Sequence, residues 1–194
     1  VLVQGHIKIH DPESGAVFVN KRNAIHYENM SIALAESVAN AGQGFISSMA
    51  FGNGGTSVDP TGIITYLTPN STGTNASLYN QTFTKIVDDR SVSNLDPQRN
   101  KIETRHVNGT NYTDVVVTCL LDYGEPNGQD ATDTASASDS LYVFDELGLT
   151  SYASSGTGKL LTHVIFHPVQ KSLNRLIQID YTVRVQSLTG FNEG

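Results

Sequence analysis

The sequence predicts a mainly β protein, an antiparallel β-sandwich with one short α-helix and long loops. Three observations carry this expectation. Charged residues make up only 16% of the chain, well under the roughly 25% of an average domain. Their place is taken by Ser, Thr, Asn and 17 Gly, a composition that suits short strands and many turns. Apolar and polar residues alternate with period two in several segments, while a helical period is confined to one. A chain of 194 residues and 20.9 kDa reads as a single β-rich domain, 1–194. A long acidic loop lies within it at 122–140.

Residues 2–10 open the chain as a strand, with Val3, Gly5, Ile7 and Ile9 on one side and His6, Lys8 and His10 on the other. Asp11-Pro-Glu-Ser-Gly15 is a turn, because Pro presets φ and Gly permits φ > 0. Ala16 to Asn20 returns as the hairpin partner. The one helix follows, with Asn29 as its cap, Met30 to Ala39 as its body and Ala39-Asn-Ala-Gly42 as its stop. Its apolar residues, Ile32, Leu34, Ala35, Val38 and Ala39, predict cover on more than one side, by its own sheet and by a neighbouring subunit.

Phe45 to Phe51 reads as a strand ending in Gly52-Asn-Gly-Gly55, and Gly62 to Leu67 as another. A polar loop runs from Thr68 to Ala76, and Thr82 to Val87 is a strand. Lys101–Val107, the turn Asn108-Gly-Thr-Asn111 and Tyr112–Asp122 form the clearest hairpin, since Asn-Gly is the strongest short-range hairpin signal. Leu141 to Phe144 is a short strand. Lys159–His167 and Leu173–Gln186 close the chain. The latter, at about 3.3 Å per residue, is longer than most strands. It is expected to bend at a corner or to project as an edge that a partner covers.

Charge bounds the function. Twelve Lys+Arg against 19 Asp+Glu give −7, and a surface this acidic does not wrap the nucleic-acid backbone. No apolar run approaches the length of a bilayer span, so neither nucleic acid nor membrane is an expected partner. The start lacks the pattern of a secretory signal. The single cysteine, Cys119, excludes an internal disulfide and reads as a small buried core residue. Asn-X-Ser/Thr triplets at Asn29, Asn70, Asn75, Asn80, Asn108 and Asn111 read as a product of composition.

No constellation of catalytic, cofactor-binding or metal-ligating residues emerges. His163 and His167, like His6 and His10, share a face of one strand, but four positions along a strand is about 13 Å, too far for one zinc ion. Only a cross-strand pairing such as His6 with His163 would rescue a site. Gly52-Asn-Gly-Gly-Thr56 lacks the Lys-Ser/Thr of a phosphate loop and reads as a turn. Asp88 and Asp89 point to opposite faces if in a strand, which disfavours paired acid–base work. The absence of Trp and of an aromatic cluster weakens a stacking platform for sugars or single strands.

One charge pattern stands out. From His106 to Gly158 there is no Lys or Arg, while Asp114, Asp122, Glu125, Asp130, Asp133, Asp139, Asp145 and Glu146 fall there. Lys101, Arg105, Lys171, Arg175 and Arg184 lie outside it. The window reads either as a solvated acidic loop or as a surface that meets a basic face on a neighbouring copy, fixing orientation and register. Calcium binding is a third reading, though the carboxylates lack a tight ligand spacing.

Ala24-Ile-His-Tyr-Glu-Asn-Met-Ser31, Phe51-Gly-Asn-Gly-Gly-Thr56 with Asp59-Pro-Thr-Gly62, and Lys159-Leu-Leu-Thr-His-Val-Ile-Phe-His-Pro168 running into Asn174-Arg-Leu-Ile-Gln-Ile-Asp-Tyr-Thr182 resemble a family of virion structural proteins of tailed bacteriophages, contractile-tailed ones in particular. The resemblance spans most of the chain. It implies a non-enzymatic particle component, an adaptor in the neck or collar or in the tail or baseplate. Its partners would be other virion proteins and copies of itself, assembled symmetrically in the host cytoplasm. A capsid decoration protein is the alternative within this class, and a receptor- or glycan-binding β-module the alternative outside it. The motifs are not catalytic signatures, so no functional residues, cofactor or metal carry over.

Overall fold

The computed structural model describes residues 1–129, 131 and 141–188. Eleven strands and one helix are found among them: β1 (Leu2–His10), β2 (Val17–Ile25), α1 (Tyr27–Val38), β3 (Ile46–Gly52), β4 (Thr56–Val58), β5 (Ile64–Tyr66), β6 (Gln81–Ile86), β7 (Lys101–His106), β8 (Tyr112–Leu121), β9 (Leu141–Ser151), β10 (Thr162–Ser172) and β11 (Ile177–Gln186). Nine strands form one sheet in the order β6-β3-β9-β10-β2-β1-β11-β8-β7, and β4 pairs with β5 in a second, smaller sheet. Every pair is antiparallel.

The large sheet is joined at its middle by only two residue pairs, Thr162 with Ile25 and His163 with Ala24. There it folds over on itself. Lys85 on β6 donates through Nζ to the Leu120 carbonyl of β8 at 2.5 Å. Asp89, just past β6, accepts from the Ile102 amide of β7 at 3.3 Å. These strands stand at opposite ends of the sheet order, so the two halves face each other as a sandwich. One continuous core fills the space between them, with Ile7, Ile9, Ile177, Ile179 and Tyr181 from one half and Met49, Phe51, Phe144 and Leu147 from the other. Phe144 packs edge-on against both Phe51 and Phe166, at 5.4 and 5.7 Å between ring centroids.

Period two serves β1 well. Val3, Gly5, Ile7 and Ile9 are buried, while Gln4, His6, Lys8 and His10 face outward. The Asp11 turn forms as its residues dictate: its carboxylate accepts from the Glu13 and Ser14 amides, and Gly15 sits at φ 77. The Asn108 turn places Gly109 at φ 88 between β7 and β8.

Four expectations about the strands need correction. The last strand starts at Ile177, not Leu173, because β10 runs on to Ser172 and Leu173 to Leu176 form the turn. It lies between β1 and β8, paired to both along its length, so it is a central strand and does not project as an edge. The strand at Leu141 continues to Ser151; Asp145 and Glu146 hide it, because charges at the centre of a strand contradict a buried pattern. Pro168 falls inside β10, where the register with β9 shifts between Ile165 and Val169, the irregularity that lets a strand hold a proline.

The helix begins at Tyr27 and is capped by His26, whose Nδ1 accepts from the Asn29 amide at 3.1 Å. Asn29 is instead buried in the first turn and donates through Nδ2 to the Leu160 carbonyl at 2.9 Å. Asn29, Met30 and Ala33 are the residues it buries. Val38 is 88% exposed, so α1 is covered by its own sandwich on one side only. The predicted stop does hold, through left-handed Asn40 at φ 51 and Gly42 at φ 72.

Both edges of the large sheet are guarded. On β7, Lys101, Glu103 and Arg105 alternate outward and form ion pairs along the strand, which discourages pairing with another chain. On β6 the Gln129 side chain acts as a missing peptide. Its carbonyl accepts from the Thr84 amide at 2.8 Å and its amide donates to the Thr84 carbonyl at 3.0 Å.

Candidate functional site

A cluster of buried ionisable groups, Asp145, Glu146 and His163, lies where β3 stops. Gly52 stands opposite Glu146 of β9, and past that point the chain leaves the sheet for residues 53–80, which carry β4 and β5. Three groups of the sandwich hold this excursion down. Asp145 accepts from the Gly55 and Thr56 amides, both at 2.9 Å, and from the Thr56 hydroxyl at 2.5 Å. Glu146 accepts from the Gly54 amide at 3.1 Å, Tyr79 at 3.0 Å and Asn80 at 2.8 Å. His163 of β10 donates through Nε2 to Glu146 Oε2 at 2.8 Å and accepts the Asn70 amide on Nδ1 at 2.8 Å. A backbone N–H can only donate, so the Asn70 bond assigns the proton of neutral His163 to Nε2. The same logic puts the proton of neutral His26 on Nε2, which donates to the Gly73 carbonyl at 2.9 Å.

The Glu146 and His163 side chains are fully excluded from solvent. Burial raises the Glu146 pKa, but the hydrogen bonds from His163 and from the Asn80, Tyr79 and Gly54 amides outweigh it and hold the carboxyl below its ordinary value of 4.5. The glycines are required by closeness. A Cβ on Gly52 would lie 2.5 Å from Glu146 Oε1 and still closer to the Asn80 carbonyl. One on Gly54 would lie 2.8 Å from the Asn80 amide nitrogen. The Gly52–Thr56 stretch is therefore an anion cradle, and the anions are the chain's own carboxylates.

A second cluster fixes the start of the acidic loop. Lys171 is fully buried and donates through Nζ to the carbonyls of Asp122, Glu125 and Ser172 at 2.9, 2.6 and 2.7 Å. Burial pulls its pKa down to about 8, against the carboxylates of Glu125 and Asp122, which pull it up. Lys85 pairs with Glu125 at 2.6 Å and Arg99 with Asp122 at 2.6 Å. Arg184 grips Asp114 through two nitrogens at 2.7 and 3.0 Å.

These contacts decide where the residues singled out in the sequence fall. Asp114, Asp122, Glu125, Asp145 and Glu146 have partners within the chain, cations or amides. Asp130, Asp133 and Asp139 lie outside the described residues. His6 faces outward on β1 while His163 is buried beside Glu146, so the two are not brought together. His10 instead meets Asp180 at 2.8 Å, and His167 is exposed. Among the described residues no three His, Cys, Asp or Glu converge on a metal position. Asp88 binds Arg90 at 3.2 Å within its own stretch of chain, and Asp89 binds the Ile102 amide of β7. Cys119 is buried, and burial pushes its thiol up to about 12.

One feature escapes sequence reading altogether. Phe45 and Tyr152 stack at 4.9 Å with their planes 9° apart, and the Arg90 guanidinium lies 5.5 Å from the Phe45 ring centre. Beside them is a groove of about 570 Å³ lined in part by Glu36, Gln43 and Asp88. The two rings stand on different strand ends far apart in the chain, so no local pattern announces them. Comparison with protein-family models, curated proteins and solved structures finds no match to this chain.

Proposed function

We propose that the chain is a non-enzymatic structural component of a tailed-phage virion, an adaptor of the neck or collar or of the tail or baseplate, present in symmetric copies. The observation that carries this reading is the use of the buried charge. Asp145, Glu146, His163 and His26 secure residues 53–80 to the sandwich, and these residues present an outward hairpin. On and beside that hairpin Val58, Ile63, Tyr66 and Leu67 are exposed. Apolar side chains carried on a stiffly anchored projection are what a neighbouring subunit can cover. The motif resemblance supplies the kind of assembly. Replacing Val58 and Ile63 with Asp tests it: the folded double variant is excluded from particles that incorporate the parent chain. Equal incorporation overturns the assigned contact, and absence of the parent chain from the particle overturns the function.

A second reading has its own observation. The Phe45–Tyr152 stack beside a polar groove is the kind of surface on which a sugar ring packs, and it favours a glycan-binding module. Selective binding on a glycan array, abolished by Tyr152→Ala, would establish it.

A further inference from the structure

We propose that a cavity at the β2–β1–β11 face binds an oxyanion, a phosphoryl or carboxylate group of a small ligand. This site is independent of the virion reading. The cavity holds about 290 Å³ and is lined by Val3, Gly5 and Ile25 on its apolar side, and by Gln4, His6, Arg22, Tyr27, Thr182 and Arg184 on its polar side. In a chain of net charge −7, this lining contains two arginines and a histidine and no carboxylate.

Strand register brings the donors together. His6 stands directly opposite Arg22 on one side and Thr182 on the other. Gln4, one outward position along β1, stands opposite Arg184. Adjacent strands are about 4.8 Å apart, so the Arg22, His6 and Thr182 positions form one row across three strands, with Gln4 and Arg184 in the next row, all lining the same cavity. Arg184 is already oriented. Its Nε and Nη2 are bound by Asp114, and its guanidinium lies 3.8 Å from the Tyr112 ring centre, leaving Nη1 uncommitted. Arg22 is exposed, and among the described residues no carboxylate lies within ion-pair reach of it.

The nearby acids do not cancel this charge. Asp114 is taken by Arg184. Asp180, in the next row, accepts from His10 at 2.8 Å and Gln178 at 2.9 Å. One uncompensated guanidinium, that of Arg22, therefore remains in the row of His6 and Thr182, while Arg184 lines the cavity from β11, held by Asp114. A planar fork with parallel N–H bonds fits both oxygens of a carboxylate or two oxygens of a phosphoryl group.

The test titrates the full chain with inorganic phosphate and, separately, with citrate, followed by amide chemical shifts and calorimetry. Saturable binding of either probe is expected, with shifts concentrated at Gln4, His6 and Thr182. Phosphate alone would mark a phosphoryl site, citrate alone a carboxylate site, and both a general oxyanion site. Arg22→Gln should weaken binding about tenfold or more, while Arg90→Gln, which removes an exposed cation elsewhere, should not. Unchanged melting of Arg22→Gln shows that the fold is intact. Lack of saturable binding by both probes, or equal weakening by both variants, would overturn the proposal.

Discussion

His163 and Glu146 form a solvent-excluded pair, Nε2 to Oε2 at 2.8 Å, whose tautomer is fixed from the far side by the Asn70 amide. The pair joins β9 to β10 and both strands to the 53–80 excursion. Removing one member leaves the other's buried polar atom unsatisfied, a change that typically costs about 1–3 kcal/mol and more where the group left is charged. Glu146→Gln is expected to fall in that range in chemical denaturation, because its amide group must confront N–H donors on one side. Long-range ¹⁵N correlation spectra of the parent should show the His163 proton on Nε2.

Acid should act through the same carboxylate. The folded pKa of Glu146 lies below its unfolded value, so its contribution is complete above about 4.5 and is lost as pH falls through the folded value. Hydrogen exchange is expected to show the amides of Asn70, Tyr79 and Asn80 losing protection in acid ahead of the β1–β11 core. In Glu146→Gln their protection should be low at neutral pH and nearly flat with pH. Equal acid sensitivity in both proteins would remove Glu146 from this role.

Lys171 predicts a second rise of stability with pH, in the alkaline range. Its folded pKa, about 8, is below the unfolded value of 10.5, so the unfolded chain holds the extra proton between them. Stability contributed at this site therefore rises as pH climbs from about 8 towards 10.5. Lys171→Met removes that slope and also leaves the Asp122, Glu125 and Ser172 carbonyls without their donor. It should lower stability at pH 7, measured by urea denaturation.

Close approach makes Gly52 and Gly148 sensitive positions. A Cβ on Gly148 would strike the Thr162 carbonyl across the β9–β10 boundary. Alanine at either glycine is expected to cost about 1–3 kcal/mol, the usual range for overpacking. Alanine at Gly62 meets nothing within 4 Å and pays only for its φ of 87. Thermal melts of the three variants separate steric from conformational cost.

Cys119 should behave as a core atom. With its thiol buried and pushed up to about 12, it is expected to resist an aromatic disulfide reagent at pH 8 in the native protein and to react on unfolding. Stoichiometric native labelling would contradict its placement.

Much of the architecture was legible because the strands advertise themselves. The alternation in β1 and the Asn108-Gly109 turn report local geometry that the folded protein keeps. What the sequence hid was set by contacts between distant residues. Charge at Asp145 and Glu146 masked the second half of β9, because their partners are amides of residues 53–80 and carry no residue signature. His26 took the cap from Asn29 because Asn29 found a buried carbonyl at Leu160. The glycines of Gly52–Thr56 announced a tight turn correctly, but the carboxylates that fill it lie some 90 positions later. The outward stack of Phe45 on Tyr152 follows only once β3 and β9 are paired.

The most direct test of the account is the place of the chain in a tailed-phage particle, seen by electron microscopy at a resolution that traces side chains. The account predicts symmetric copies in the neck or collar or in the tail or baseplate, with Val58, Ile63 and Tyr66 covered by a neighbouring subunit and Glu146 still bound to His163. A particle that lacks the chain, or that holds it with this hairpin bare to solvent in every copy, would contradict it.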